Sequence, residues 1–366
     1  DKEMRNFIHI SEGRRTILPD LTFFSLKITA VLAEILLTTC VMPAFLSCEH
    51  SIINTDIENT RDSSSLKHHS LELAVTKPET YESLDILTFD DDKLRRLDSY
   101  QKINYAGKNV DMASRSGRKI IVALANTGFS EKQLMHIRKY DDLLTLHTDL
   151  KNENPEYPVM CCEKNVNVGN NGRIELELKA LMAEIRINSL CCDFHARPYN
   201  GEKLENVRVY LTNVCSRVPL TGTPPKTPES ILNYGKFIVS DTLGFSYPGL
   251  IFRKVPIPVG ENVIFPNIRL YCYGNLSETE TLGSPFTRLV IEGELQGKKT
   301  YYPLDINREQ TGNENCGITG NNAYIFDITI TRRGMDNPDT VINTESIDCP
   351  LKIIPWEQLN NRTIKF

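Results

Sequence analysis

Cys48 is the residue best placed for covalent chemistry. It closes a short apolar run, residues 35–48 (ILLTTCVMPAFLSC), with Arg14, Arg15 and Lys27 upstream. A basic flank, a brief apolar stretch and a small-residue exit have the shape of a secretory signal. The run is too short and too interrupted to span a bilayer as a helix. Leu46 and Ser47 put a branched apolar and a small residue before the cysteine. This is the pattern of a bacterial lipobox, in which the thiol is acylated and the cysteine becomes the new N-terminus. The expectation is a lipoprotein signal over 1–47, then a polar tether over 48–70 rich in Ser, Asn and Asp. The alternative is a buried helix in which Cys48 is an ordinary core thiol.

Elsewhere the sequence offers little catalytic chemistry. It has no G-x-S-x-G elbow and no H-E-x-x-H pair. His68-His69 has no third ligand at a telling distance and reads as a solvated pair in the linker. Asp90-Asp91-Asp92 lacks the spaced ligands and glycine of a calcium loop, so a hairpin tip fits better. The glycines at 169–172 and 320 read as turns, because no helix follows to receive a phosphate. Asn275-Leu276-Ser277 and Asn361-Arg362-Thr363 match the N-glycan acceptor pattern and read as chance matches. A glycan hydrolase would need paired carboxylates on facing strands, and no motif supplies them. Trp356, the single tryptophan, reads as a core anchor rather than a ligand platform. The expectation is therefore a non-enzyme without metal or cofactor. A net charge of −5 gives no basic field for nucleic acid.

Of ten cysteines, Cys40 would leave with the signal and Cys48 would carry lipid. The even remainder permits disulfides in an exported protein. The adjacent pairs Cys161-Cys162 and Cys191-Cys192 are poorly placed to bridge themselves, since neighbours on a strand point to opposite faces. No CxxC spacing favours zinc.

The elements that position these residues are mostly strands. Residues 71–75 (LELAV), 84–89 (LDILTF) and 207–211 (VRVYL) alternate apolar and polar side chains. Residues 119–125 (KIIVALA) are continuously apolar, the mark of a strand covered on both faces. Residues 130–145 carry apolar positions at helical spacing and predict one short helix. Residues 181–187 read as a second buried strand, and 262–273 as two strands broken at Pro266. Residues 288–295 and 300–306 flank Gln296-Gly297-Lys298-Lys299 and give the best hairpin signal. Residues 324–331 alternate throughout. Residues 347–356 contain prolines that bar them from a fully paired central ladder. Many short strands at modest spacing predict an all-β chain of Greek-key sandwiches with one or two short helices. The division expected is 71–192 and 193–366.

Ordered pieces of this chain resemble the FimA-type fimbrillins, which build type V pili in anaerobic Gram-negative bacteria. They are 84–100 (LDILTFDDDKLRRLDSY), 119–128 (KIIVALANTG), 178–187 (LKALMAEIRI), 207–213 (VRVYLTN), 287–307, 322–338 and the terminal Pro355-Trp356. The lipobox belongs to the same pattern. The resemblance implies two transthyretin-like sandwiches, export as an outer-membrane lipoprotein precursor, and proteolysis after an Arg or Lys near the first strand. It also implies assembly by strand donation between pilus subunits and a role in adhesion to a host or bacterial surface. The anaerobic setting implies cysteines that are mostly buried free thiols. On this sequence the strand to be removed is 71–75, and the candidate cleavage points are Arg61, Lys67 and Lys77. Lys77 is followed by Pro78, which trypsin-like enzymes cut poorly. The candidate donor is 347–366, with Ile353, Ile354, Trp356, Leu359 and Ile364 as groove-filling side chains. Residues 347–356 are alternatively an internal strand of the second sandwich. A tip or accessory subunit, or a monomeric surface adhesin that binds a host or glycan ligand, is the competing reading.

Overall fold

The computed structural model describes residues 68–75, 81–104, 109–169, 173–224, 226–308, 316–342 and 344–356. The expected leader, Cys48 and most of the expected tether lie outside these residues. The first half runs β1 (His68–Val75), β2 (Leu84–Asp90), β3 (Leu97–Ile103), β4 (Asn109–Arg115) and β5 (Gly117–Ala125). Helices α1 (Glu131–Leu134) and α2 (Tyr140–Leu144) follow, then β6 (His147–Asp149), β7 (Met160–Val168), β8 (Ile174–Leu176) and β9 (Lys179–Ala180). The second half runs β10 (Met182–Cys192), β11 (Glu205–Thr212), β12 (Val214–Cys215), β13 (Arg217–Pro219), β14 (Ile231–Leu232), β15 (Phe252–Lys254) and β16 (Ile268–Tyr273). It ends with β17 (Arg288–Leu295), β18 (Lys298–Asp305), β19 (Asn322–Ile330), β20 (Ile347–Asp348) and β21 (Leu351–Pro355). The chain is nearly all β, as its alternation predicts.

Two sandwiches result. In the first, the three-stranded sheet β4-β1-β8 faces the five-stranded sheet β3-β2-β5-β7-β9. Leu71, Leu73 and Val75 of β1 meet Leu84 and Ile86 of β2 and Ile121 and Ala123 of β5 in one buried cluster. The second pairs β16-β10-β19, edged by β20 and β21, with β15-β11-β17-β18. Its core packs Ile185, Ile187, Leu270, Phe326 and Ile328 against Val209, Leu211, Leu289, Ile291 and Tyr302.

Local sequence explains the elements. From Lys119 to Ala125 every residue of β5 is buried. One face of β5 fills the first core, and the other, with Val122 and Leu124, packs on Leu134, Ile137, Tyr140 and Leu143 from the helical segment. That double cover accounts for the unbroken apolar run. The single helix expected over 130–145 is two short ones. Ser130 and Gln133 close a capping box on α1. At the β17–β18 hairpin both Gln296 (φ 52°) and Gly297 (φ 73°) are left-handed, as a two-residue turn between twisted strands requires. Of the two strands expected over 262–273, only β16 is a strand, while Ile264 makes an isolated bridge to Leu190.

One strand sits differently from the expected division at residue 192. β10 pairs antiparallel with β16 and parallel with β19, so it forms the middle of the second sandwich's sheet. The change from one set of sheets to the other falls at Leu181. There the turn before β19 presses on the chain: a Cβ on Gly320 would stand 2.5 Å from the Leu181 carbonyl oxygen. Asn321 also accepts the Ala180 N–H at 3.2 Å through its side chain.

Candidate functional site

β1 starts at His68, so the histidine pair assigned to the linker lies inside the strand, opposite Arg115 and Ser114 of β4. The strand pairs antiparallel with β4 from His68 to Ala74 and parallel with β8 from Leu73 to Val75. It is the middle strand of its sheet, and it alone joins β4 to β8. Period-two alternation sends Leu71, Leu73 and Val75 into the core, all buried, while Ser70 and Glu72 face solvent. Burying three such side chains stabilises by about 5–9 kcal/mol in gross terms, at ~1.5–3 kcal/mol each. Without β1 the sandwich would hold a slot one strand wide. Its walls are the unpaired edges of β4 and β8, and its floor is lined by Leu84, Ile86, Val110, Met112, Ile121 and Leu176. Unpaired backbone beside an apolar trough is a template for another strand.

The sequence found the occupant of this slot and missed one wall. β4 (NVDMASR) carries only two large apolar residues, Val110 and Met112. Yet its burial alternates strictly, with Val110, Met112 and Ser114 turned inward. That period-two signal was available. Candidate cleavage points Arg61, Lys67 and Lys77 lie outside the described residues.

The tail is seated on its own chain. β20 and β21 pair antiparallel with β19, with Ile353 opposite Tyr324 and Ile354 opposite Ala323. This is the internal arrangement, and the prolines place the strand at an edge as expected. Its packing is shallow: Ile354 is buried, but Ile353 is 43% exposed, and Lys352 and Pro355 face solvent. Trp356 stacks on Tyr271 with ring centroids 5.9 Å apart, and its N–H donates to the Asn321 carbonyl at 2.8 Å. It packs against both core clusters, as an anchor would. Leu359 and Ile364 lie outside the described residues.

Other sequence candidates have structural employment. Asp92 accepts the N–H groups of Leu94 and Arg95, and Asp90 pairs with Lys119, so the aspartate run caps and anchors a turn. Asn275 is fully buried, donating to the Pro285 carbonyl at 2.9 Å and to Thr287 at 3.0 Å, which makes it a loop organiser and not a glycan acceptor. Asn361 lies outside the described residues. Cys161, Cys191, Cys192, Cys215 and Cys272 are buried thiols. Burial pushes the Cys161 and Cys192 thiols up to about 12, which keeps them protonated and unreactive.

No protein-family model matches the sequence, and no curated protein matches it either. Solved structures do match in shape. A candidate cell adhesion protein from Parabacteroides distasonis superposes with a TM-score of 0.59 at 14% identity, over 78% of this chain and 96% of that one. A fimbrilin (fimA) from Porphyromonas gingivalis gives 0.56 at 13% identity, over 78% and 97%. The C-terminally truncated tip fimbrial protein Mfa3 from Porphyromonas gingivalis gives 0.50 at 13%, over 79% and 99%. This chain has a fimbrillin-type fold. At such identities the likeness concerns the fold, and function has to be argued from the slot.

Proposed function

We propose that this chain is a non-enzymatic subunit of a cell-surface fimbria serving adhesion. It joins its neighbours when proteolysis frees β1 and the tail of another subunit takes its place. The observation that carries the reading is the position of β1: a short, deeply buried strand that, among the described residues, alone bridges two strands of one sheet. The fold shared with a fimbrilin and a tip fimbrial protein supports it. A strand donated head to tail does not close on itself, so the product is a filament. Acylation at Cys48 would hold the precursor at the outer membrane until cleavage at Arg61, Lys67 or Lys77. The two-domain division belongs to this proposal, with the link at Leu181, where strand pairing changes over.

A tip or accessory subunit, or a monomeric surface adhesin, is the second reading. It is favoured by the tail, which is already paired with β19. One experiment separates the two. Purified, delipidated protein carrying a protease recognition sequence in residues 76–80, where Lys77-Pro78 resists trypsin-like enzymes, is cut there and run unboiled on a gel. A ladder of multimers is the expected result. Cleaved protein that stays monomeric at high concentration overturns the polymerising subunit in favour of the second reading.

A further inference from the structure

β4 has β1 as its only strand partner among the described residues. When β1 leaves, all seven paired positions from Asn109 to Arg115 lose their ladder. What keeps β4 in place must then come from side chains that cross the sandwich. They converge on Asp98 of β3. Its Oδ2 accepts the Ser114 hydroxyl at 2.7 Å and the Arg115 backbone N–H at 2.9 Å, and its Oδ1 accepts Arg115 Nε. Lys119 of β5 lies 2.8 Å from Asp98 and also pairs with Asp90 of β2, and Arg115 stands 3.5 Å from Asp90. Lys119 and Asp98 side chains are 1% and 3% exposed. Two cations and two carboxylates are balanced, and one carboxylate ties β4 to the facing sheet. Further along, the Thr88 hydroxyl of β2 meets the Met112 sulfur at 3.5 Å.

We propose that Asp98 is a positioning residue for strand uptake: with Ser114, Arg115 and Lys119 it clamps β4 as a standing wall of the slot while β1 is absent. The inference rests on the slot reading above. Buried ion clusters are poor sources of net stability and are best understood as fixing one arrangement. Fixing β4 matters because an incoming strand then orders only itself. A slack wall would have to be ordered in the same step, and binding weakens by that cost. In an intact chain the β1 ladder holds β4 as well, so there the cluster is not the sole hold on β4's position.

The test uses the full chain with a protease recognition sequence placed in residues 76–80, nicked after folding. A fluorescent peptide with the β1 sequence HHSLELAV is added in excess, and its uptake is followed by anisotropy. The parent is compared with Ser114→Ala/Arg115→Gln, which leaves Lys119 paired with both carboxylates, and with Ser114→Ala alone in case the double variant misfolds. The expected result is uptake at least ten-fold weaker in the double variant and a smaller loss in the single one. The un-nicked variants should still fold with β4 protected by the β1 ladder, at a lower thermal midpoint than the parent because Asp98 loses two donors. Amide exchange at Val110 and Met112 should become fast only after nicking. Equal affinity and equal β4 protection in parent and variants overturn the clamp and leave the slot standing. A nicked parent that takes up no peptide overturns both.

Discussion

Replacing Glu153 by glutamine should remove a large part of the pH dependence of stability above pH 5. Glu153 is fully buried where the segment after β6 meets the second sandwich. Its Oε2 accepts the Val159 N–H at 3.0 Å, and its Oε1 accepts the Tyr273 hydroxyl at 2.8 Å. Tyr273 also reaches Thr148 at 3.2 Å, and Asp149 is the nearby charge. Burial raises the carboxyl from 4.5 to about 7, and the two donors only partly oppose it. The folded state thus holds a proton that the unfolded state has released between these values. Stability must fall as pH rises through that window, with the loss complete above about 7. The shift corresponds to about 3 kcal/mol, or roughly 5 °C in thermal midpoint for a chain of this size. Asp85 and Asp305 are also raised by burial, so the informative quantity is the difference between parent and variant and not the raw slope. Asp98 acts in the opposite sense: burial works to raise it, but hydrogen bonds from Lys119, Arg115 and Ser114 hold it far below the usual carboxylate range. Its contribution is present above the unfolded value of 3.8 and is lost on acidification, below the Glu153 window. Thermal melts from pH 5 to 8 should show Glu153→Gln gaining on the parent as pH rises. Parallel curves for the two proteins would mean that the carboxylate is ionised throughout and the argument from burial is wrong.

Leu73→Ala should destabilise the intact chain by about 2–5 kcal/mol, because it empties a closed site. The same change in a β1 peptide should weaken uptake by a nicked chain at least thirty-fold, measured by anisotropy. Gly320→Ala should cost about 1–3 kcal/mol through the clash with the Leu181 carbonyl. A thermal midpoint equal to the parent's would show that the 180–181 link can move aside.

The readable parts of the fold were those written in local pattern. The run at 119–125 announced a doubly covered strand, the stretch 296–299 announced a hairpin whose turn is in fact only Gln296-Gly297, and Pro350 and Pro355 confined β21 to an edge. β1 was visible as LELAV. What stayed hidden depends on pairing across long separations. β1 and β8 run parallel although about a hundred residues separate them, and β10 finds β19 across a similar gap. Alternation states that a strand has an inner face and leaves its partner open. That is why β10 was grouped with the strands before it. The Asp98 cluster draws residues from β2, β3, β4 and β5, and nothing in the local pattern of any one strand points to the others. Glu153 carries no local sign of burial at all.

On the strand exchange proposed above, the contrast between β1 and β21 gives a reason why cutting, rather than binding alone, would control assembly. β1 buries Leu71, Leu73 and Val75, while β21 buries chiefly Ile354. A tail strand that leaves β19 gives up less buried apolar side chain than β1 does, although Trp356 must also leave Tyr271, and its Cys349, Leu351 and Ile353 recur at the same period of two that fits Leu71, Leu73 and Val75 to the slot. Affinity of side chains does not by itself keep a neighbour's tail out. The tether does. β1 is joined to β2 through only the short stretch 76–80, so its effective concentration at the slot is of millimolar order. A neighbour's tail at micromolar concentration competes against a ~1,000-fold advantage, about 4 kcal/mol. Cleavage between β1 and β2 removes that advantage without changing a single contact in the slot. Lost β1 then diffuses away, and the competition is decided by which strand fits better and is more abundant. Cleavage upstream at Arg61 or Lys67 leaves the tether intact. On this argument only a cut in 76–80, where Lys77 is the available basic residue, can open the slot to a second subunit.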